Sequence, residues 1–256
     1  MDKPVTLILG LGQMTGEAVA RRFSDEGHAV IACDASQKRV ERLSSSLRDR
    51  AIVHQEDLDT RIGVKNALAA ALEAYGKVDH IVAVPPIPPK TPFADLDLAE
   101  FEKIHSKALR SCILTLQIFQ RHVAKRVEED GATLGRQRQL GSVTFVLSLS
   151  AQQVNEGDFA DAVVQHSILG AMRSAAVDLA PRGIRVNAIC ALRPRAENEE
   201  PWLKKRTPFG RASLADEIAD AALYLSLAKS AIITGETLVM DGGRSRLSGI
   251  IDDLDD

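Results

Sequence analysis

The feature that most constrains this chain is a regular alternation of short β-branched or apolar runs with longer segments of helical period. Strand candidates fall at Val5–Leu9, Ala29–Cys33, Ala51–His54, His80–Val84, Ser142–Leu147, Ile184–Ile189 and Thr237–Met240. Helical segments lie near 14–27, 36–49, 60–75, 97–126, 158–180 and 214–229, where apolar residues recur at three- and four-residue steps. Strands that alternate with helices pair in parallel and are covered on both faces, so the pattern predicts an α/β doubly wound parallel sheet. No linker, repeat or low-complexity tract divides the chain. A single domain over residues 1–249 is expected, followed by a short acidic tail over 250–256.

Composition narrows the function classes. With 45% hydrophobic residues, a chain of 256 can bury a full core without disulfides or metals. Its 32 basic and 35 acidic side chains nearly cancel, which removes the basic footprint of a nucleic-acid or membrane-surface partner. Cys33, Cys112 and Cys190 stand far apart among apolar neighbours and read as core residues. No two histidines have ligand spacing, so no metal site is expected. The first strand follows the amino terminus almost at once and no apolar run reaches membrane-spanning length, which points to a cytoplasmic protein. Three segments break the rhythm: the stiff run Pro85-Pro86-Ile87-Pro88-Pro89, the polar stretch Glu128–Gly141, and the tail.

The first strand runs into Gly10-Leu11-Gly12-Gln13-Met14-Thr15-Gly16 and then a helix. Glycines at such a turn permit positive φ and let backbone approach a pyrophosphate at the helix amino terminus, the hallmark of a Rossmann-like fold. Asp34 closes the second strand, where a carboxylate can hydrogen-bond an adenosine ribose and repel a 2′-phosphate; this favours NAD over NADP. A purely structural reading stands beside it: the glycines can serve only the turn, and Asp34 with Gln37 also fits a helix cap.

The carboxyl half contains Leu179-Ala180-Pro181-Arg182-Gly183-Ile184-Arg185-Val186-Asn187-Ala188-Ile189, Thr207-Pro208-Phe209-Gly210-Arg211 with Asp216-Glu217-Ile218-Ala219, and Thr234-Gly235-Glu236-Thr237-Leu238-Val239-Met240-Asp241-Gly242-Gly243. In order and spacing these motifs closely resemble the short-chain dehydrogenase/reductase family, from about Pro4 to Gly243. The resemblance implies hydride transfer between nicotinamide and a carbonyl or alcohol carbon. It also implies that Gly10, Gly12, Gly16 and Asp34 bind cofactor, that Asp57 and Leu58 contact adenine, and that Ser148 orients substrate.

The same resemblance exposes what is missing. The family moves its proton with a tyrosine followed four residues later by a lysine on one helix face. Those positions fall on Asp161 and Gln165. The only tyrosines are Tyr75 and Tyr224, and no lysine lies between Lys125 and Lys204, so no shift of register restores the pair. The family's catalytic asparagine falls near Ser106, and its Asn-Asn-Ala-Gly reads Ala83-Val84-Pro85-Pro86. Met14 replaces the middle glycine, Ala191-Leu192 replaces a Pro-Gly, and the charged segment Arg193–Arg206 looks poorly suited to enclose an apolar substrate. NAD binding by this chain is therefore expected to be weak or lost. Asp161 is a carboxylate that can shuttle protons, although it is short and has no lysine to tune it.

Three readings follow. The leading one is a non-catalytic subunit that supports an active paralogue of the same family in a heterotetramer, with NAD in the partner, in the manner of the two-subunit hydroxyacyl-CoA dehydrogenase type of the benzylsuccinate pathway. The second is an active NAD-dependent oxidoreductase that uses unconventional residues such as Ser148 and Asp161. The third is an NAD-sensing regulator.

Overall fold

A computed structural model describes residues 3–12, 14–47, 51–129, 139–192 and 202–249. Seven strands, β1 (Val5–Leu9), β2 (Ala29–Asp34), β3 (Ile52–Gln55), β4 (His80–Ala83), β5 (Gly141–Ser148), β6 (Ile184–Ala191) and β7 (Thr237–Met240), form one parallel sheet in the order β3-β2-β1-β4-β5-β6-β7. Among the described residues seven α-helices are interleaved: α1 (Thr15–Asp25), α2 (Gln37–Leu47), α3 (Arg61–Tyr75), α4 (Leu98–Glu129), α5 (Phe159–Leu179), α6 (Trp202–Arg206) and α7 (Ala215–Ser226). The doubly wound sheet expected from the alternation is the fold observed.

Each face of the sheet has its own core. Leu7, Ile31, Phe145, Val186 and their neighbours pack against α3, α4 and α5, whereas Ile8, Val30, Val82 and Ile189 pack with Phe23 of α1, Leu43 of α2 and Ile218 of α7. Burial on both faces explains why β5 and β6 are enclosed along all eight residues and run past their predicted ends, with Ser148 paired to Ala191. Strand order reverses between β1 and β4, and the carboxyl ends of the strands on either side of that point open a crevice, the usual ligand position in such sheets. At the opposite, amino-terminal ends of the strands, buried His28 and half-buried His80 lie together, with ring centres 5.7 Å apart and hydrogen bonds to Thr6 and Ser142. Most of Glu128–Gly141, all of the tail over 250–256 and residues 193–201 lie outside the described residues.

Candidate active site

A cleft of about 1290 Å³ lies over the carboxyl ends of the strands, lined at one end by Gly10, Gly12, Asp34 and Leu58 and at the other by Ser148, Asp161, Leu203 and Arg244. Its floor begins at the glycine turn. Gly10 has φ +91°, and a Cβ there would come within 2.3 Å of the Val84 carbonyl oxygen; a Cβ on Gly16 would come within 2.5 Å of the Gly10 carbonyl. Both glycines are therefore demanded by the turn itself. Gly12, at φ +60°, differs, because an added Cβ would meet only the Val84 side chain at 3.6 Å. It leaves open backbone beside the amino terminus of α1, where Met14 supplies no side-chain cap. Met14 itself is exposed and lines the cleft, so its thioether narrows the space that a middle glycine would leave open.

Asp34 is buried, and its carboxylate is already engaged. Oδ2 accepts the Leu11 N–H at 2.7 Å, while Oδ1 accepts the Ser36 N–H at 2.7 Å and both Nε and Nη2 of Arg39 at 3.0 and 2.6 Å. Asp34 thus ties the glycine turn to the start of α2 and presents an ion pair at the cleft, where sequence reasoning expected a lone carboxylate. Arg39 was missed because only the geometry of α2 brings it back to the strand end.

Two anticipated positions are displaced. Leu58 lines the cleft, but exposed Asp57 does not; its Oδ1 accepts the Asp59 N–H at 3.1 Å and its carbonyl accepts Thr60, so it shapes the turn into α3. Asp59 takes the place at the wall, with Lys107 at 3.0 Å. On α4 the cleft-facing positions are Ala108, Ser111, Cys112 and Thr115, whose three- and four-residue steps define one helix face. Ser106 lies off that face, beside Leu109, Arg110 and Ile113 in a separate shallow depression. The polar groups that α4 offers the cleft are Ser111 and Thr115.

A buried polar cluster joins β5 to α5. Ser148 ends its strand, and Asp161 and Gln165 project from the first turns of α5 one turn apart. Ser148 Oγ donates to Asp161 Oδ2 at 2.8 Å, Gln165 Nε2 donates to Asp161 Oδ1 at 2.9 Å, and the Ser148 N–H points to Gln165 Oε1 at 3.4 Å. All three are buried; Ser148 and Asp161 line the cleft, and Gln165 backs them. His166 stays out of this cluster, with Nδ1 on the Ala162 carbonyl. Among the described residues no group of side chains could hold a metal ion.

The far wall comes from the carboxyl-terminal third. Leu192 hydrogen-bonds through its N–H to Met240 and lines the cleft; Ser213 clamps the same strand through Oγ on Met240 O at 2.7 Å. Arg211 forks onto Glu217 at 2.9 and 2.7 Å, and burial of Leu203 on α6 adds apolar surface. Most of the charged Arg193–Arg206 segment lies outside the described residues; in its described part Leu203 turns inward while Lys205 and Arg206 are exposed. No described helix is long and apolar enough to cross a membrane.

Comparison with known proteins agrees with the fold. A family model described as enoyl-(acyl carrier protein) reductase matches residues 12–245. Short-chain dehydrogenase reductase 3c of Arabidopsis thaliana is 26% identical over 95% of both chains, and D-threitol dehydrogenase of Mycolicibacterium smegmatis is 26% identical over 95% of this chain and 93% of its own. Among solved structures, 3-ketoacyl-(acyl-carrier-protein) reductase from Brucella melitensis, complexed with NADH, superposes with a TM-score of 0.82 at 26% identity, covering 94% of this chain and 98% of the other. These matches overturn the expectation of a non-catalytic subunit. The proteins resembled along nearly the whole chain are named as dehydrogenases and reductases, and the substituted positions here retain a hydrogen-bonded acid on an open cleft. The chain belongs to the short-chain dehydrogenase/reductase family.

Proposed function

We propose that the protein is an NAD(H)-dependent oxidoreductase that interconverts an alcohol and a carbonyl, with Asp161 as its proton-carrying group. The observation behind this reading is the Ser148–Asp161–Gln165 hydrogen-bond chain, which opens onto the same cleft as the glycine turn. The residues present fit a dinucleotide. Gly12 and the uncapped start of α1 offer backbone to a pyrophosphate, Asp34 and Arg39 border the ribose position, and Leu58 offers apolar surface to adenine. When bound, the cofactor supplies or accepts the hydride.

The chain's own residues handle the proton. In the oxidising direction the substrate hydroxyl approaches Ser148 Oγ, whose hydrogen already points at Asp161 Oδ2. As the alcohol O–H bond breaks, Ser148 accepts that proton and passes its own to the carboxylate; reduction runs the relay backwards. Gln165 holds the second carboxylate oxygen, so Asp161 keeps its orientation without a neighbouring lysine. The apolar wall of Leu192 and Leu203 and the stiff Pro85–Pro89 loop limit water around the reacting atoms.

The test is turnover by the purified chain alone. NADH oxidation is followed against a panel of ketones and keto acids, and NAD reduction against secondary alcohols and hydroxy acids. Turnover that disappears in Asp161→Asn supports the reading. NADH binding by calorimetry without turnover on any class of carbonyl would sink it.

A further inference from the structure

Asp34 closes β2 at one end of the cleft, where a free carboxylate would bind a ribose diol and turn away a 2′-phosphate. It is not free. A carboxylate accepts about four hydrogen bonds on its two oxygens, and Asp34 already takes four, from the Leu11 N–H, the Ser36 N–H and Nε and Nη2 of Arg39. Its side chain is 4% exposed, whereas that of Arg39 is 39% exposed and lines the cleft. The accessible member of the pair is therefore the cation. Among the described residues Nη1 of Arg39 has no partner, since only Nε and Nη2 reach Asp34. The surroundings favour an anion as well. The first turn of α2 contains Lys38 and Arg39 but no acidic residue, and a helix amino terminus carries a partial positive charge. Ala35, exposed on the cleft wall, offers only a methyl group. Asp59, the other carboxylate lining this end, is paired with Lys107 at 3.0 Å.

We propose that Arg39, held by Asp34, makes this end of the cleft a site for the 2′-phosphate of NADP(H), so that the chain binds the phosphorylated dinucleotide more tightly than NAD(H). This deepens the oxidoreductase reading and rests on it for the word cofactor. The acidic residue that would select NAD by itself becomes the anchor of a phosphate-binding guanidinium. Its charge is offset by Arg39, which lies nearer to solvent and to the ligand, and a guanidinium matches phosphate oxygens in geometry as well as in charge.

Calorimetric titration of the purified chain with adenosine 2′,5′-bisphosphate and, separately, with 5′-AMP isolates the 2′-phosphate from the nicotinamide end of the cofactor. Wild type should bind the bisphosphate roughly tenfold more tightly, the worth of one charge-assisted contact. Arg39→Gln keeps a donor for Asp34 but no charge and should erase that difference, while Arg39→Lys should retain part of it. Ala35→Glu sets a carboxylate at an exposed position of the cleft wall and should invert the preference, which keeps the test valid should Arg39→Gln fold poorly. Wild type that binds 5′-AMP as tightly as the bisphosphate, or a gap that survives in both Arg39→Gln and Ala35→Glu, overturns the proposal. The two readings fail separately. Arg39-dependent binding of the bisphosphate with no turnover leaves the phosphate site standing without the oxidoreductase, while turnover with NADH and no gain from the 2′-phosphate does the reverse.

Discussion

Replacing Asp161 by asparagine separates chemistry from architecture better than any other single change. The carboxylate is 6% exposed and accepts two hydrogen bonds, from Ser148 Oγ at 2.8 Å and Gln165 Nε2 at 2.9 Å. Asparagine has nearly the same shape. Its Oδ1 keeps the Gln165 donor and its amide nitrogen donates to Ser148 Oγ, so both bonds survive and stability should move by less than about 1 kcal/mol. An amide nitrogen cannot accept the alcohol proton, however, and loss of a positioned general base lowers kcat by about 10²–10⁴, or about 2.7–5.4 kcal/mol of barrier. NADH affinity should not change, because the glycine turn and Asp34 lie at the other end of the cleft. Steady-state NADH absorbance gives kcat, calorimetry gives the cofactor Kd, and thermal unfolding checks the fold. Ser148→Ala is the counterpart. It leaves one oxygen of a buried carboxylate without its donor and should cost about 1.5–3 kcal/mol of stability as well as activity. A wild-type kcat in Asp161→Asn, with a normal Tm, would refute the assignment of Asp161 as proton carrier.

Arg39→Ala should shift cofactor preference toward NADH over NADPH by several-fold in calorimetric Kd ratio, because Asp34 then faces a 2′-phosphate without the guanidinium at 2.6 Å; an unchanged ratio would show that the pair does not reach the ribose. Glu217, held down to about 2 by the Arg211 fork and the Leu214 N–H, stabilises fully above its ordinary value near 4.5 and loses that contribution as pH falls through 2. Glu217→Gln should cost about 1 kcal/mol in urea unfolding at neutral pH, a figure kept small by solvent screening, and the difference from wild type should close in acid. His80 is pushed down to about 3, chiefly by burial and then by His28, so the native protein keeps it neutral. The unfolded chain takes up that proton first, and stability should fall by up to about 1.36 kcal/mol per pH unit as pH drops from 6.5 toward 3. His80→Gln should flatten that slope in urea midpoints measured across the range.

What sequence reasoning could and could not reach follows from how local each determinant is. Strand and helix positions were legible because burial on both faces writes itself as continuous apolar runs, as in β5 and β6, and because the turn after β1 cannot close without Gly10 and Gly16. Ser106 went astray through rotation: an α-helix turns about 100° per residue, so a position five residues before Ser111 points well away from the face that Ser111 shares with Ala108 and Thr115. Asp57 and Asp59 differ by two residues, yet the turn into α3 sends only the second to the cleft wall. Arg39 carried no motif at all. Its place beside Asp34 depends on α2 folding back onto a strand end. The same non-locality changed the meaning of Asp161. In sequence it counts as a missing tyrosine, and Gln165 as a missing lysine. In space the substitutions are complementary, because glutamine donates to the shortened acid from the position where a lysine would stand, and Ser148 closes the distance that the shorter side chain leaves. An absence scored residue by residue therefore says little about chemistry until the neighbours of the substituted atoms are known.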